Sequence, residues 1–209
     1  MKLYEAYRLV EEIKPADGIF VFDIDDTMLR ADGSMIKIWK RKDGKETPLS
    51  TDEFAKDPDK GKPGVTYDYR EFRDPDKVYN SIMKGTPILK NLKMMDAHVR
   101  AKWPIAFLTA RGLESKVAEA LKDFLKFRDK DGQLKPIGDN LKIGLSKAIN
   151  DEKYIETFGG LNDFQKKAKV LKDLCDKYSI VKFVDDDLNN CKAAKSLGCK
   201  NLQVIVAHK

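Results

Sequence analysis

The chain reads as an α/β protein with a mostly parallel sheet flanked by helices. Short apolar runs rich in β-branched and aromatic residues recur along its 209 residues. Segments with helical spacing separate those runs. A third observation bears on function: three of the runs stop abruptly at acidic or hydroxyl residues. Open parallel sheets gather ligands outside the carboxyl ends of their strands.

Leu3, Ala6, Tyr7, Val10 and Ile13 share one helical face, and Pro15 ends it. Asp17-Gly18 is a turn, and Ile19-Phe20-Val21-Phe22 is a buried strand that stops at Asp23. Ile36 and Ile38 alternate with Lys37 and Trp39, and Asp43-Gly44 marks a hairpin turn. Pro48, Pro58, Gly61, Pro63 and Gly64 then predict a turn-rich stretch, in which Tyr67, Tyr69, Phe72 and Tyr79 are interleaved with charges. Residues 30 to 85 are expected to be an insertion that packs lightly on the main body.

Thr86-Pro87 reads as an N-cap with proline at the first helical position. Ile88, Leu92, Met95 and Val99 form the face of that helix, and Pro104 to Leu108 is a second buried run. Val117, Leu121, Phe124 and Leu125 mark the next helix, and Asp131-Gly132 a turn. Residues 141 to 145 are a weak third strand, and 146 to 160 carry no clear period. Asn162 with Gln165 resembles a capping pair opening a helix through Phe164, Ala168, Leu171, Leu174 and Tyr178. Ile180 to Val184 is the fourth strand. Leu188, Cys191, Ala194 and Leu197 form the last helix, with Gly198 at its C-terminal end, and Leu202 to Val206 is the last strand.

Composition narrows the function classes. At roughly 150 residues per domain the length suits one domain with an insertion. Forty basic residues nearly balance 34 acidic ones, for a net charge of +6. That excludes an acidic tail protein and a strongly basic nucleic-acid coat, and permits a mild attraction for phosphorylated partners. Cys175, Cys191 and Cys199 have neither disulfide-framework nor zinc spacing and read as core or near-surface thiols. His98 and His208 have no partner spacing. No apolar run approaches a membrane span, and the charged MKLYEAYRLVEEI start lacks a leader's apolar core, so a cytoplasmic protein is expected. No obligate protein partner is indicated.

The chemistry lies in the three clusters that follow the buried runs. They are Asp23-Ile24-Asp25-Asp26-Thr27, Thr109-Ala110-Arg111 and Asp185-Asp186-Asp187. On parallel neighbouring strands they share one crevice. Carboxylates so concentrated need protons or a cation. A hard divalent ion, most simply Mg²⁺, resolves this, and it works with substrate phosphates. Phosphoryl transfer is the matching reaction class.

The run IFVFDIDDTML resembles motif I of the haloacid dehalogenase superfamily, an apolar strand followed by DxDx[TV]. IAFLTAR resembles its motif II, and IVKFVDDDLNN its motif IV. The set is similar to small phage-encoded predicted phosphatases and to the 3′-phosphatase domain of polynucleotide kinases. The resemblance implies a Rossmann-like core over residues 1–29 and 86–209, with a small cap at 30–85 that selects substrate. It implies that Asp23 is the nucleophile and forms an aspartyl-phosphate. Asp25 would be the general acid and then base, and a metal ligand through its backbone carbonyl; the carboxylates around it favour the protonated form an acid needs. Asp23, Asp185 and Asp186 would hold Mg²⁺, while Thr27 and Thr109 would bind the phosphoryl group. One lysine before the last motif would neutralise phosphoryl oxygens. Lys166, Lys167 and Lys169 all lie there, and Lys167, adjacent to the apolar face, is preferred, with Lys166 second. Arg111 would set its guanidinium fork near the phosphate.

Plainer readings compete. Asp187 reads as the N-cap of the following helix rather than a ligand, and Asp26 as a loop residue. Residues 30 to 45 carry six basic and two acidic residues with Trp39 among them, a composition that can bind single-stranded nucleic acid or a base. Over residues 30 to 84 the count is 13 basic to 11 acidic, so the aromatics there are expected to form a small core of their own. The expected substrate is a nucleotide or a nucleic-acid end. A small-metabolite phosphate, or a silent fold used for binding, are the alternatives.

Overall fold

The apolar run after Gly18 forms β1 (Gly18–Phe22), and each of its residues is buried. The computed structural model describes residues 18–30, 35–101, 103–128, 134–136 and 143–208. The expected N-terminal helix, Asp17 of the first turn, the Asp131-Gly132 turn and residues 141–142 lie outside these.

The chain then passes through β2 (Leu29–Arg30), β3 (Ile38–Lys42), β4 (Lys45–Leu49), α1 (Thr51–Ala55) and β5 (Thr66–Asp68). A 3-10 turn, Arg70–Arg73, leads to α2 (Pro75–Met83), β6 (Thr86–Pro87) and α3 (Leu89–Arg100). Next come β7 (Ile105–Thr109), α4 (Glu114–Phe124), β8 (Lys126–Arg128), β9 (Leu134–Pro136) and β10 (Ile143–Ala148). A second 3-10 turn, Glu152–Tyr154, precedes α5 (Ile155–Phe158) and α6 (Asp163–Cys175). The chain closes with β11 (Ile180–Asp185), α7 (Leu188–Ser196) and β12 (Leu202–Val206).

Five strands form one parallel sheet in the order β10-β7-β1-β11-β12. Side chains of successive residues point to opposite faces of a strand, and β1 shows it. Phe20 and Phe22 join a core with Val78, Ile82, Met95, Val99, Phe107, Val117 and Leu121. Ile19 and Val21 join a second core with Ala106, Leu108, Val170, Leu171, Leu174 and Phe183. Helices α2, α3 and α4 thus cover one face, and α6 with the Tyr154–Phe158 segment the other. This is a mixed α/β fold with a five-stranded parallel sheet flanked by helices, compatible with a Rossmann-like arrangement. Each fully buried Phe or Leu contributes about 1.5–3 kcal/mol by leaving water. Among the described residues, no helix is long and apolar enough to cross a membrane.

Three local expectations need correction. Thr86-Pro87 does not cap a helix: it pairs antiparallel with Leu29–Arg30, and α3 starts at Leu89 with no side-chain cap. Pro48 is not in a turn but in β4, at the edge of the β4-β3-β5 sheet, where its missing N–H breaks no ladder. Phe164 lies 39% exposed, so the buried face of α6 runs through Lys167, Val170, Leu171, Leu174 and Cys175 instead.

The segment between β2 and β6 folds on its own hairpin. Asp43 and Gly44 both take positive φ (50° and 72°), as a two-residue hairpin turn requires. Phe54, Tyr67, Tyr69 and Phe72 meet ring to ring at centroid distances of 5.0–6.0 Å. Lys40 donates to Asp57 and Asp59 at 2.8 Å each. The expectation of light packing fails at α2: Val78 and Ile82 are fully buried in the main core. Gly85 closes the segment where any side chain would collide, because a Cβ there would sit 2.7 Å from the Leu29 side chain.

Candidate active site

The carboxyl ends of β1, β7 and β11 lie side by side, and each delivers one of the clusters seen in the sequence. Asp23 directly follows β1, and its N–H still donates to the Val184 carbonyl of β11 at 2.9 Å. Its side chain is therefore fixed by strand pairing and is 4% exposed. The chain then turns tightly. The N–H groups of Met28 and Leu29 donate back to the Ile24 carbonyl at 2.8 and 3.2 Å, and Asp26 takes a positive φ of 55°. Ile24, Met28 and Leu29 fill the core beneath, which anchors the loop.

Asp185 ends β11 and is wholly buried. It accepts from the Asp187 N–H at 2.9 Å and from the Asn190 amide at 3.0 and 3.1 Å. Asp187 caps α7 by accepting from the Asn189 N–H at 2.7 Å, as expected of it. Oxygen atoms of Asp23, Asp185 and Asp186 can all lie within 4.8 Å of one another. These oxygens make a hard donor set suited to a hard cation. Among the described residues this is the group of acidic, His or Cys side chains that could hold a metal ion.

Lys167 joins the ends of β1 and β11. Its Nζ donates to Asp23 Oδ1 at 2.7 Å and to Asp185 Oδ2 at 2.8 Å, and the side chain is 3% exposed. The two neighbouring lysines go elsewhere. Lys166 bonds Asn150 and lies 3.8 Å from Asp163, while Lys169 donates to the Thr157 carbonyl at 3.0 Å. The capping box of Asn162 and Gln165 fixes the start of α6 and thereby sets which lysine faces the sheet.

Arg111, 6% exposed, reaches two elements of the site. Its Nε and Nη2 donate to both oxygens of Asp25 at 2.8 and 2.6 Å, and Nη1 donates to Ser81 Oγ at 2.7 Å. The guanidinium thus holds the Asp25 side chain in a bidentate grip. Thr27 is fully buried, and its Oγ1 accepts from the Asp186 N–H at 3.1 Å, which ties the β1 loop to the β11 loop. Thr109, also fully buried, accepts from the Arg111 N–H at 3.2 Å. Both threonines brace the loops.

Electrostatics follow from this burial. Loss of water pushes Asp23 up to about 8, with Asp185 and Asp25 adding to the effect and Lys167 opposing it. Burial also works against the charge on Lys167, but Asp23 and Asp185 together outweigh it and hold the ammonium above its ordinary value. Arg111 is likewise raised, because Asp25 overcomes its burial. Of the four acidic residues Asp23, Asp25, Asp185 and Asp186, Lys167 pairs with Asp23 and Asp185 and Arg111 with Asp25. When fully ionised, this cluster carries a twofold negative excess that a divalent cation would neutralise.

Ser81 and Asn190 had no part in the sequence reading. Asn190 could have been noticed one helical turn past the acidic run. Ser81 gives no sequence signal. Outside the site, the remaining candidates have structural roles. Burial pushes the Cys191 thiol up to about 11 and the Cys175 thiol up to about 12, which suits core thiols. His98 packs on Phe20 at 4.0 Å and bonds the Met94 carbonyl. Comparison with protein-family models, curated proteins and solved structures gave no match to this chain.

Proposed function

We propose that the protein is a Mg²⁺-dependent phosphomonoester hydrolase of the haloacid dehalogenase type, with residues 30–85 as a substrate-selecting cap. The observation that carries the reading is the Lys167 bridge between Asp23 and Asp185 at the ends of adjacent parallel strands. It pairs a buried carboxyl group at a strand end with a buried cation beside an all-oxygen donor set.

Asp23, Asp185 and Asp186 would hold the metal ion, which when bound supplies charge for the phosphoryl oxygens. An Asp23 oxygen attacks phosphorus, the bond to the ester oxygen breaks, and that oxygen takes a proton from Asp25. Water then attacks the aspartyl-phosphate, Asp25 takes its proton, and the bond from Asp23 to phosphorus breaks to give inorganic phosphate. Lys167 keeps Asp23 oriented and offsets charge on the phosphoryl group. The Asp187 N–H and Asn190 amide hold Asp185 in place.

The insertion supports a cap role through its contact with the β7 loop, where a Cβ on Gly112 would lie 3.7 Å from the Phe72 carbonyl oxygen. Its basic and aromatic residues give less support to a nucleic-acid end than their composition suggests. Trp39 donates to Glu71 and lies under Arg70, while Lys40 and Lys42 are paired with Asp57 and Asp59. A screen of nucleotides, oligonucleotide 3′- and 5′-phosphates and sugar phosphates, with and without Mg²⁺, tests the activity and ranks these substrates. Mg²⁺-dependent phosphate release that disappears in Asp23→Asn is expected. Full activity in that variant would refute the mechanism.

A further inference from the structure

Ser81 lies on α2, the helix that returns the chain from the insertion to the core, and is 1% exposed. Its hydroxyl donates to the Val78 carbonyl at 2.8 Å, one turn back in the same helix. With its proton directed there, the oxygen presents its lone pairs to Arg111 and accepts from Nη1 at 2.7 Å. The other two bonded nitrogens of that guanidinium hold both Asp25 oxygens. The planar fork is therefore anchored from behind by α2 and grips Asp25 in front. Rotation of the guanidinium would break all three bonds together.

We infer that Ser81 is a positioning residue for the proposed phosphatase reaction: through Arg111 it orients the Asp25 carboxylate that must take the proton from the attacking water. This rests on the phosphatase reading for its chemistry, but the relay itself is a matter of three side chains. In the second half-reaction, when the aspartyl-phosphate is hydrolysed, the Asp25 side chain must accept the proton of the attacking water, so its orientation matters most there. The first half-reaction needs little proton donation when the leaving group is an acidic phenol.

The two halves can be read separately with an activated aryl phosphate such as 2,4-dinitrophenyl phosphate and Mg²⁺. For this ester kcat/KM reports phosphoryl transfer to Asp23, and kcat reports hydrolysis of the phosphoenzyme. Ser81→Ala is expected to lower kcat by about 10-fold, part of the 10²–10⁴ that positioned acid–base catalysis supplies. It should leave kcat/KM within about twofold and raise the steady-state amount of phosphoenzyme. An equal fall in both parameters would mark general structural damage and overturn the inference, and so would no change in either.

A second measurement needs no activity. In a ¹⁵N-arginine spectrum, the Arg111 Nε–H should exchange slowly with water in the wild type and much faster in both Ser81→Ala and Asp25→Asn. Unchanged protection in Ser81→Ala would overturn the relay. If the wild-type chain releases no phosphate from any ester, the phosphatase reading fails, while the exchange data still decide whether Ser81 anchors Arg111.

Discussion

Lys167 Nζ lies 2.7 Å from Asp23 Oδ1, across 144 residues of chain, with both side chains almost fully buried. The same nitrogen reaches Asp185 at 2.8 Å. One cation thereby bridges carboxyl groups from two adjacent strands, and it stands at the point where the chemistry is proposed to occur.

Removing that cation leaves two buried carboxylates facing each other. Lys167→Met should destabilise the protein by about 3–5 kcal/mol at pH 9, where Asp23 is ionised, without divalent ions, the usual result of breaking one side of a buried ion pair. Urea denaturation checks this, and millimolar Mg²⁺ should recover part of the loss.

Asp23 gives a pH dependence of definite sign. In the folded protein it is raised to about 8, against about 4 for an ordinary carboxyl in the unfolded chain. Its favourable share of stability is full below about pH 4 and is lost as pH rises through 8, because the folded state holds the proton more tightly. Asp23→Asn cannot ionise, so without divalent ions it should become more stable than wild type as pH rises from 4 to 8. The gain should grow from pH 4 and level off above about pH 8. Thermal melts at pH 5 and pH 8 make the comparison.

The insertion should respond in the opposite direction. Lys40, Lys42 and Lys62 hold the Asp59 carboxyl below its usual range, and Lys40 with the Asp59 N–H does so for Asp57. At Glu71, burial opposes the shift, but Lys77, the Lys37 N–H and the Trp39 indole outweigh it. Such depressed groups contribute stability above about pH 4 that is lost as pH falls through their folded values. Tryptophan fluorescence should therefore report loosening around Trp39 below about pH 4. Lys40→Met should move that transition to higher pH.

The sheet makes a prediction independent of function. Phe107 is fully buried at the centre of β7 and packs in the core shared by β1, α3 and α4. Phe107→Ala should cost about 3–5 kcal/mol, through lost burial plus the cavity left behind. Calorimetry or urea unfolding measures it.

Much of this site is legible in sequence because strand ends and site residues are adjacent there. Asp23 follows Phe22 and Asp185 follows Val184, so recognising the apolar runs also locates the carboxylates. Lys167 is legible more indirectly, as a lysine in register with Val170, Leu171 and Leu174 on a face that should be apolar. Phe164 fits the same register yet is exposed, because burial of that face begins one turn further on. The Ser81 contact joins residues 30 positions apart on different elements, and no local pattern encodes it. The same holds for Asn91, whose buried amide donates to the Thr27 carbonyl at 2.6 Å and so supports the site loop from below. Thr86-Pro87 carries the composition of a cap, but pairing with Leu29–Arg30 prevails because the ends of the insertion must be held together.

The central claim is that Asp23 becomes covalently phosphorylated. The most direct measurement is borohydride trapping followed by peptide mass spectrometry. It uses Asp25→Asn, which lacks the proposed base, with an activated aryl phosphate and Mg²⁺. Borohydride converts an aspartyl-phosphate to the corresponding alcohol. The account predicts reduction confined to Asp23 and dependent on both ester and Mg²⁺. Phosphate release by the wild type, with Asp23 unmodified in the trapped variant, would contradict it.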